Sequence, residues 1–435
     1  MILNSNVVGI IADDLTGAND TALQFHLRGA NTQILLRDDV EPLNVVGTQT
    51  WAIPTESRNV TPSEAYEKVK SATIKFVEVL KPDYFYKKID STVRGNIAIE
   101  SLGILENLGW DAVVVIPAFP SEGRITVGGY HLLNAVPIER TEMARDPHSP
   151  IFESHLPTLF KLQLPEEYHD IISTIDLSTV MKGAGPILMK LNELVREGKK
   201  LIIADAVSMT DIEQLVLAIT KTDYQILPAG TAAAAKAFSD IWFPEDDVEQ
   251  IAKTVPCLPK FIISGSATQI TAKQVEKLEI CEEFNERLLS ISLDMLTVLG
   301  GVKDDLVDQI VTGLSQKDVV MVHTSNLMKT FDCNAQESLR AELTKADLAN
   351  MITDFLADLT QKVISRKEVI LITLGGETSY KCCASINADQ LQLVDQVAPA
   401  IALSLDHNSQ WIVTKSGNLG SQDTLIDIVK YFDCR

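Results

Sequence analysis

The stretch VVGIIADDLTGAND, residues 7–20, decides the fold. Its apolar, β-branched run reads as a short buried strand ending at Asp13 and Asp14. Thr16 and Gly17 then turn into an amphipathic pattern, GANDTALQFHLRGA (17–30), which reads as a helix that Asn19 or Asp20 would help to cap. A strand feeding straight into a helix is half of a βαβ unit, and such units come in series.

The series is there. NTQILLR (31–37), DAVVVIPA (111–118) and KLIIADA (200–206) repeat the strand pattern, with the helical stretch PSEAYEKVKSATIKFVEVL (62–80) between the first two. A second series begins after residue 258, with KFIISGSA (260–267), DVVMVHTS (318–325) and EVILITLGG (368–376) as strands. Helices are expected over 268–279 and 341–366. Between the two series lies IWFPEDDVEQIAKTVPCLPK (241–260), acidic, with three prolines and no clear period. The fold class expected is α/β, as two α/β domains, 1–245 and 246–435, with mostly parallel sheets and a ligand cleft between them.

Bulk composition narrows the function classes. A chain of 435 residues is too long for one ordinary core, and a net charge of -21 argues against general binding to nucleic acid or anionic membranes. An acidic protein that handles an anion must gather its cations locally. Six cysteines, all in the C-terminal half, form no C-x-x-C pair, so no structural zinc site is expected. The apolar run at the start is short and lacks a basic leader, and no run is long enough to span a bilayer; a cytoplasmic protein is expected. Nothing fixes the oligomeric state; a homodimer is the assembly entertained.

Ligands of open α/β sheets bind at the carboxyl ends of strands, so the polar residues there are the candidates. Asp13 and Asp14 suit hydroxyl binding, proton abstraction or metal binding, or helix capping alone. IPTESRN (53–59) adds Arg58 after another short apolar stretch. In DYFYKKIDSTVRGN (83–96), DYFY reads as the strand and KKIDSTVRGN as a loop. There Lys87, Lys88 and Arg94 offer positive charge, Asp90 a base or hydroxyl acceptor, and Ser91, Thr92 and Asn96 further hydrogen bonds. A capped helix with solvated cations would read the same way; a polyhydroxy acid is the better match to so mixed a set. The proline- and glycine-rich 116–150 reads as a long structured loop offering Arg124, Arg145, Asp146 and His148. In the C-terminal half, three glycine turns follow strands: Ser264-Gly265-Ser266, Gly375 to Ser379, and Lys415 to Gly420. Glycines let backbone N–H groups approach a phosphate, and three such turns suggest one shared nucleotide site although neither a Walker loop nor G-x-G-x-x-G is present.

Taken together these segments resemble the four-carbon acid sugar kinase family over nearly the whole chain. The residues that carry the resemblance are IADDLTGAND (11–20), TESR (55–58), KKIDSTVRGN (87–96), the run from VIPAFPSEGRIT to GGY (115–130), RDPHSP (145–150), SGSAT (264–268), GGETS (375–379) and KSGNLG (415–420). The resemblance implies an N-terminal acid-sugar-binding domain, a C-terminal nucleotide-binding domain, and transfer of the γ-phosphate of ATP, with Mg²⁺, to a hydroxyl of D-threonate, D-erythronate or a 3-oxo-tetronate. It implies that Asp14, Arg58, Lys88, Asp90, Ser91 and Arg94 line the sugar-acid pocket, with Asp14, or failing it Asp90, as catalytic base. It implies that Ser266, Gly375, Gly376, Glu377, Thr378, Ser379, Gly417, Asn418 and Gly420 hold ATP. Three departures stand out: PAGTAAAA (228–235) and APAI (398–401), expected to add Cβ atoms on the nucleotide side, and Leu419 in place of a frequent phenylalanine. They keep a non-catalytic acid-sugar sensor in play, beside a kinase of another small hydroxy acid such as glycerate.

Overall fold

The computed structural model describes residues 6–146, 148–244, 254–266, 268–325 and 344–433. The chain divides into two compact units, Met1–Glu249 and Gln250–Arg435. The boundary expected near residue 245 falls within 245–253, outside the described residues.

In the first unit, β1 (Val8–Ala12), β2 (Thr32–Leu35), β3 (Thr50–Pro54), β4 (Tyr84–Lys88) and β5 (Ala112–Ile116) precede a small antiparallel sheet. That sheet is β6 (Arg124–Val127), β7 (Tyr130–Leu133) and β8 (Val136–Pro137), so the proline-rich stretch is more regular than a loop. β9 (Ile172–Ile175), β10 (Leu201–Ala204) and β11 (Ile226–Gly230) complete the unit. The main strands run in the order β2-β3-β1-β4-β11-β5-β10-β9, every pairing parallel. Their residues are buried on both faces, which is why they read as continuous apolar runs. One face carries α2 (Pro62–Lys75) and α3 (Ile97–Leu108), whose Val69, Ile97 and Leu102 pack with Ile11, Trp51 and Val113 of the strands. The other face carries α1 (Leu15–His26) and the helix Ala232–Trp242.

In the second unit, β12 (Lys260–Ser264), β13 (Leu288–Ser292), β14 (Val319–His323), β15 (Ile370–Leu374), β16 (Gln390–Ala398), β17 (Ile401–Asp406) and β18 (Trp411–Lys415) run in the order β13-β14-β12-β15-β18-β17-β16. The first five strands in that order pair parallel; β17 and β16 close the series antiparallel. The two α/β sheets are thus mostly parallel, as expected. No described helix is long and apolar enough to cross a membrane.

The strand orders create two crevices. β1 has β3 on one side and β4 on the other, and β12 likewise sits between β14 and β15. Where the direction of winding reverses, flanking loops diverge and leave room for a ligand at the carboxyl ends.

Three expectations change. Asp14, not Asn19 or Asp20, caps α1: its side chain accepts from the Gly17 N–H at 2.8 Å, and Asp20 lies inside the helix. Strand β4 runs on through Lys87 and Lys88, so these lysines point to opposite faces of the sheet. Lys87 faces α3 and meets Glu100 at 2.7 Å, both fully buried; it is a core ion pair, not a pocket cation. PAGTAAAA belongs to the first unit, as the end of β11 and the start of the helix Ala232–Trp242, where the Thr231 carbonyl accepts from the Tyr86 hydroxyl at 2.6 Å. The other departure, APAI, forms the turn between β16 and β17, with Ala400 at φ 60°, a left-handed conformation that glycine would adopt more cheaply.

Candidate active site

The first crevice collects charge at the ends of β1, β3 and β4. Arg58 reaches Asp13 Oδ2 through Nε at 2.8 Å and Asp14 Oδ1 through Nη2 at 2.9 Å. Arg94 holds Asp90 by two bonds, Nε to Oδ2 at 2.9 Å and Nη2 to Oδ1 at 3.0 Å, and donates to Asp146 Oδ2 at 2.9 Å. Asp90 also accepts from the Thr92 hydroxyl and from the Thr92 and Arg94 N–H groups. Burial alone would raise the Asp90 carboxyl, but Arg94 and Arg58 outweigh it and hold it well below the usual carboxylate range. Asp13 is likewise pushed up by burial and pulled down further by Arg58. Both guanidinium groups are therefore engaged by the protein's own carboxylates.

Two loops are shaped around these pairs. Val93, at φ 56°, is a β-branched residue in the left-handed region, strained by the Asp90–Arg94 turn and anchored by its buried side chain. His131 fixes the same turn: its Nε2 donates to the Ser91 carbonyl at 2.9 Å while Nδ1 accepts from Thr126 at 3.1 Å. Burial pushes the His131 imidazole down to about 4, which keeps it neutral for that double role. Asn96 donates to the carbonyls of Ser57 and Val60 and so ties this loop to the Arg58 loop, rather than facing a ligand. Arg145 is exposed.

Lys88 is the cation left over. It is 5% exposed and, among the described residues, has no carboxylate within 4 Å and makes one hydrogen bond, to the Ile89 carbonyl at 2.8 Å. Its Nζ lies over the start of α1, where a Cβ on Gly17 would come within 2.9 Å of it. Asp20, one turn further along α1, has an Oδ1 shielded from solvent that meets no donor, and burial pushes its carboxyl up to about 7. Glu56, at φ 46°, accepts from the Leu15 N–H at 2.8 Å, and burial beside Asp14 pushes its carboxyl well up. Neither Asp20 nor Glu56 stood among the expected site residues.

The second crevice is built from the three glycine turns. A Cβ on Gly265 would lie 2.5 Å from Thr378 Oγ1, and one on Gly417 would lie 2.5 Å from Ser266 Oγ, so the turns meet without room for side chains. The helix Gln269–Glu279 ties them: Thr268 and Thr271 both donate to the Gly417 carbonyl, and Gln274 donates to the carbonyls of Leu419 and Ser421. The helix Gly376–Ser385 starts in the crevice with no side-chain cap, leaving its first N–H groups available. Ser379 is bound inward instead: its hydroxyl donates to the Gly375 carbonyl and accepts from Thr373, both at 2.8 Å. It shapes the turn. Glu377 pairs with Lys381 at 3.5 Å. Lys415, at the end of β18, is fully buried and, among the described residues, has no carboxylate within 4 Å, its Nζ donating only to the Ser416 carbonyl at 2.8 Å. Burial pushes it down to about 7. Ser264, two strands away in the same row, has a buried hydroxyl with no partner.

The two stretches of chain match a known pair of domains. Residues 8–238 fit the family description "Sugar-binding N-terminal domain" and residues 261–425 fit "Nucleotide-binding C-terminal domain". The chain belongs to the four-carbon acid sugar kinase family. It is 29% identical to a D-erythronate kinase of Heliobacterium modesticaldum, over 98% of this chain and 97% of that one. It is 27% identical to a D-threonate kinase of Salmonella typhimurium, over 98% of both, and 25% identical to a 3-oxo-tetronate kinase of Haemophilus influenzae, over 96% and 98%. A solved Haemophilus influenzae structure of the DUF1537 family shares the fold, with a TM-score of 0.72 at 23% identity over 98% of this chain and all of that one.

Proposed function

We propose that this family member is an ATP-dependent kinase that phosphorylates a hydroxyl of a four-carbon sugar acid of the D-threonate, D-erythronate or 3-oxo-tetronate type. One observation carries the reading. Four lysines are buried among the described residues; Lys87 and Lys260 have carboxylate partners, and Lys88 and Lys415 have none. An unpaired buried ammonium is expensive unless a ligand supplies the anion. Each unpaired lysine sits at the carboxyl end of a strand in one of the two crevices.

Lys88 would take the substrate carboxylate, and the unbonded Ser91 hydroxyl would read a neighbouring hydroxyl. Asp14, Asp90, Arg58 and Arg94 would form the rigid, polar wall that orients the acid. In the second unit, Ser266, Gly375, Gly376, Thr378, Gly417, Asn418 and Gly420 would cradle the nucleotide phosphates, with Lys415 as counter-charge. Among the described residues no group of three His, Cys, Asp or Glu could hold a metal, so Mg²⁺ would arrive on the phosphates.

Calorimetry with ATP-Mg²⁺ tests the reading against a non-catalytic sensor. Binding to the isolated protein is expected. No measurable heat, with the sugar acids still binding, would favour the sensor.

A further inference from the structure

The carboxylates around the first crevice are not equivalent. Asp13 and Asp14 are tied to Arg58, and Asp90 and Asp146 to Arg94, each pair at 2.9 Å or closer. At Asp13, Asp90 and Asp146 the guanidinium holds the carboxyl low against burial, which makes each a poor proton acceptor. Asp14 is further occupied by the Gly17 N–H and the Thr16 hydroxyl, both at 2.8 Å. Glu56 spends its Oε1 on the Leu15 N–H. Asp20, like Glu56, makes no ion pair among the described residues; its buried Oδ1, like Asp13 Oδ1, meets no donor, but unlike Asp13 it is clamped by no guanidinium. It lies three residues after Gly17 on α1, so it shares the helix face over which Lys88 Nζ sits.

We propose, resting on the sugar-acid kinase reading above, that Asp20 is the catalytic base and takes the proton of the substrate hydroxyl on its carboxylate, which no guanidinium clamps. Lys88, beside it, holds the substrate carboxylate, so one end of a short acid is fixed next to the group that deprotonates the other. In the step, the hydroxyl O–H bond breaks and its proton passes to Asp20. The hydroxyl oxygen forms the new bond to the γ-phosphorus of the nucleoside triphosphate. The bond from that phosphorus to the β–γ bridging oxygen breaks, and the electron pair leaves with the nucleoside diphosphate. Asp20 then releases the proton to water. The groups that face Asp20 are Lys88 and Tyr86 from β4, Glu122 from the turn after β5, and Asp14 at the start of α1. Burial, with Glu122 and Asp14 adding to it and Lys88 opposing, raises the carboxyl to about 7, close to the working pH a general base needs.

The test compares Asp20→Asn with the wild type in a coupled assay of nucleoside diphosphate release, beside calorimetry with the preferred tetronate. The expected variant binds the acid within about threefold of wild type but turns over about 100-fold to 10,000-fold more slowly. The wild-type rate should rise with pH through about 7, as the base loses its proton, and the residual rate of the variant should lack that rise. A merely structural role would not remove the pH limb. An active wild type with an undiminished Asp20→Asn overturns the assignment and leaves the kinase reading intact. A wild type that phosphorylates no sugar acid overturns both. If the variant does not fold, a wild-type rate that is flat between about pH 5.5 and about pH 8 overturns the assignment by itself.

Discussion

Arg94 grips Asp90 through two guanidinium nitrogens, at 2.9 and 3.0 Å, and holds the 90–94 turn closed around that pair. The same arginine reaches Asp146, so one side chain joins two loops. Asp90→Asn weakens two charge-assisted bonds and leaves Arg94 with Asp146 as its carboxylate, so it should destabilise the protein by about 1.5–3 kcal/mol, read by denaturant unfolding. Arg94→Lys keeps the charge but loses the fork, and should weaken sugar-acid binding while ATP binding is unchanged.

Lys88 has no counter-ion among the described residues, so its proposed partner is the substrate. Lys88→Met should weaken tetronate binding by about 10- to 100-fold, the worth of one charge-assisted contact, as measured by calorimetry. ATP binding should be unaffected. Unchanged tetronate affinity would assign the carboxylate elsewhere.

Lys415 should show the mirror image. Lys415→Met is expected to weaken ATP binding at least about tenfold and to leave tetronate binding alone. Without ligand the same change should stabilise the fold, and the sign follows from its titration. Burial lowers the folded value to about 7 from the ordinary 10.5, so the unfolded chain binds the extra proton between those limits. The penalty is full below about pH 7 and fades as pH rises to about 10.5. The gain in melting temperature over wild type should therefore be largest near neutral pH and vanish near pH 10.5.

His131 predicts an acid weakness. Its folded value of about 4 lies below the ordinary 6.5, so the unfolded chain takes up the proton first. Stability should fall as pH drops from 6.5 to about 4, by about 3 kcal/mol for this group. His131→Gln cannot titrate, and the difference in unfolding free energy between it and wild type should shrink across that window.

Much of the architecture was legible because buried parallel strands write continuous apolar runs, and β1, β5, β10, β12 and β15 stand where those runs are. The strand-end rule then pointed to Asp14, Arg58, Lys88, Asp90 and Arg94, which the fold does bring to one crevice. What stayed hidden was pairing. Ending the strand at Tyr86 hid the alternation that sends Lys87 into the core and Lys88 to the pocket side. Asp20 reads as a cap when the helix is started at Gly17; with α1 beginning at Leu15 it becomes an unpaired carboxyl in the second turn. Lys415 stood in plain view within KSGNLG, but nothing in a sequence announces that a lysine will lack a counter-ion. His131 bonds to Ser91 across 40 positions, a contact that no local pattern encodes.

The most direct test of the sugar-acid kinase reading is a coupled assay of ADP release from ATP-Mg²⁺, run with a panel of C3 to C6 sugar acids. Phosphorylation of a four-carbon acid in preference to glycerate and to the longer acids is the predicted result. ATP turnover with glycerate or a six-carbon acid and none with any tetronate, or no turnover with any member of the panel, would contradict it.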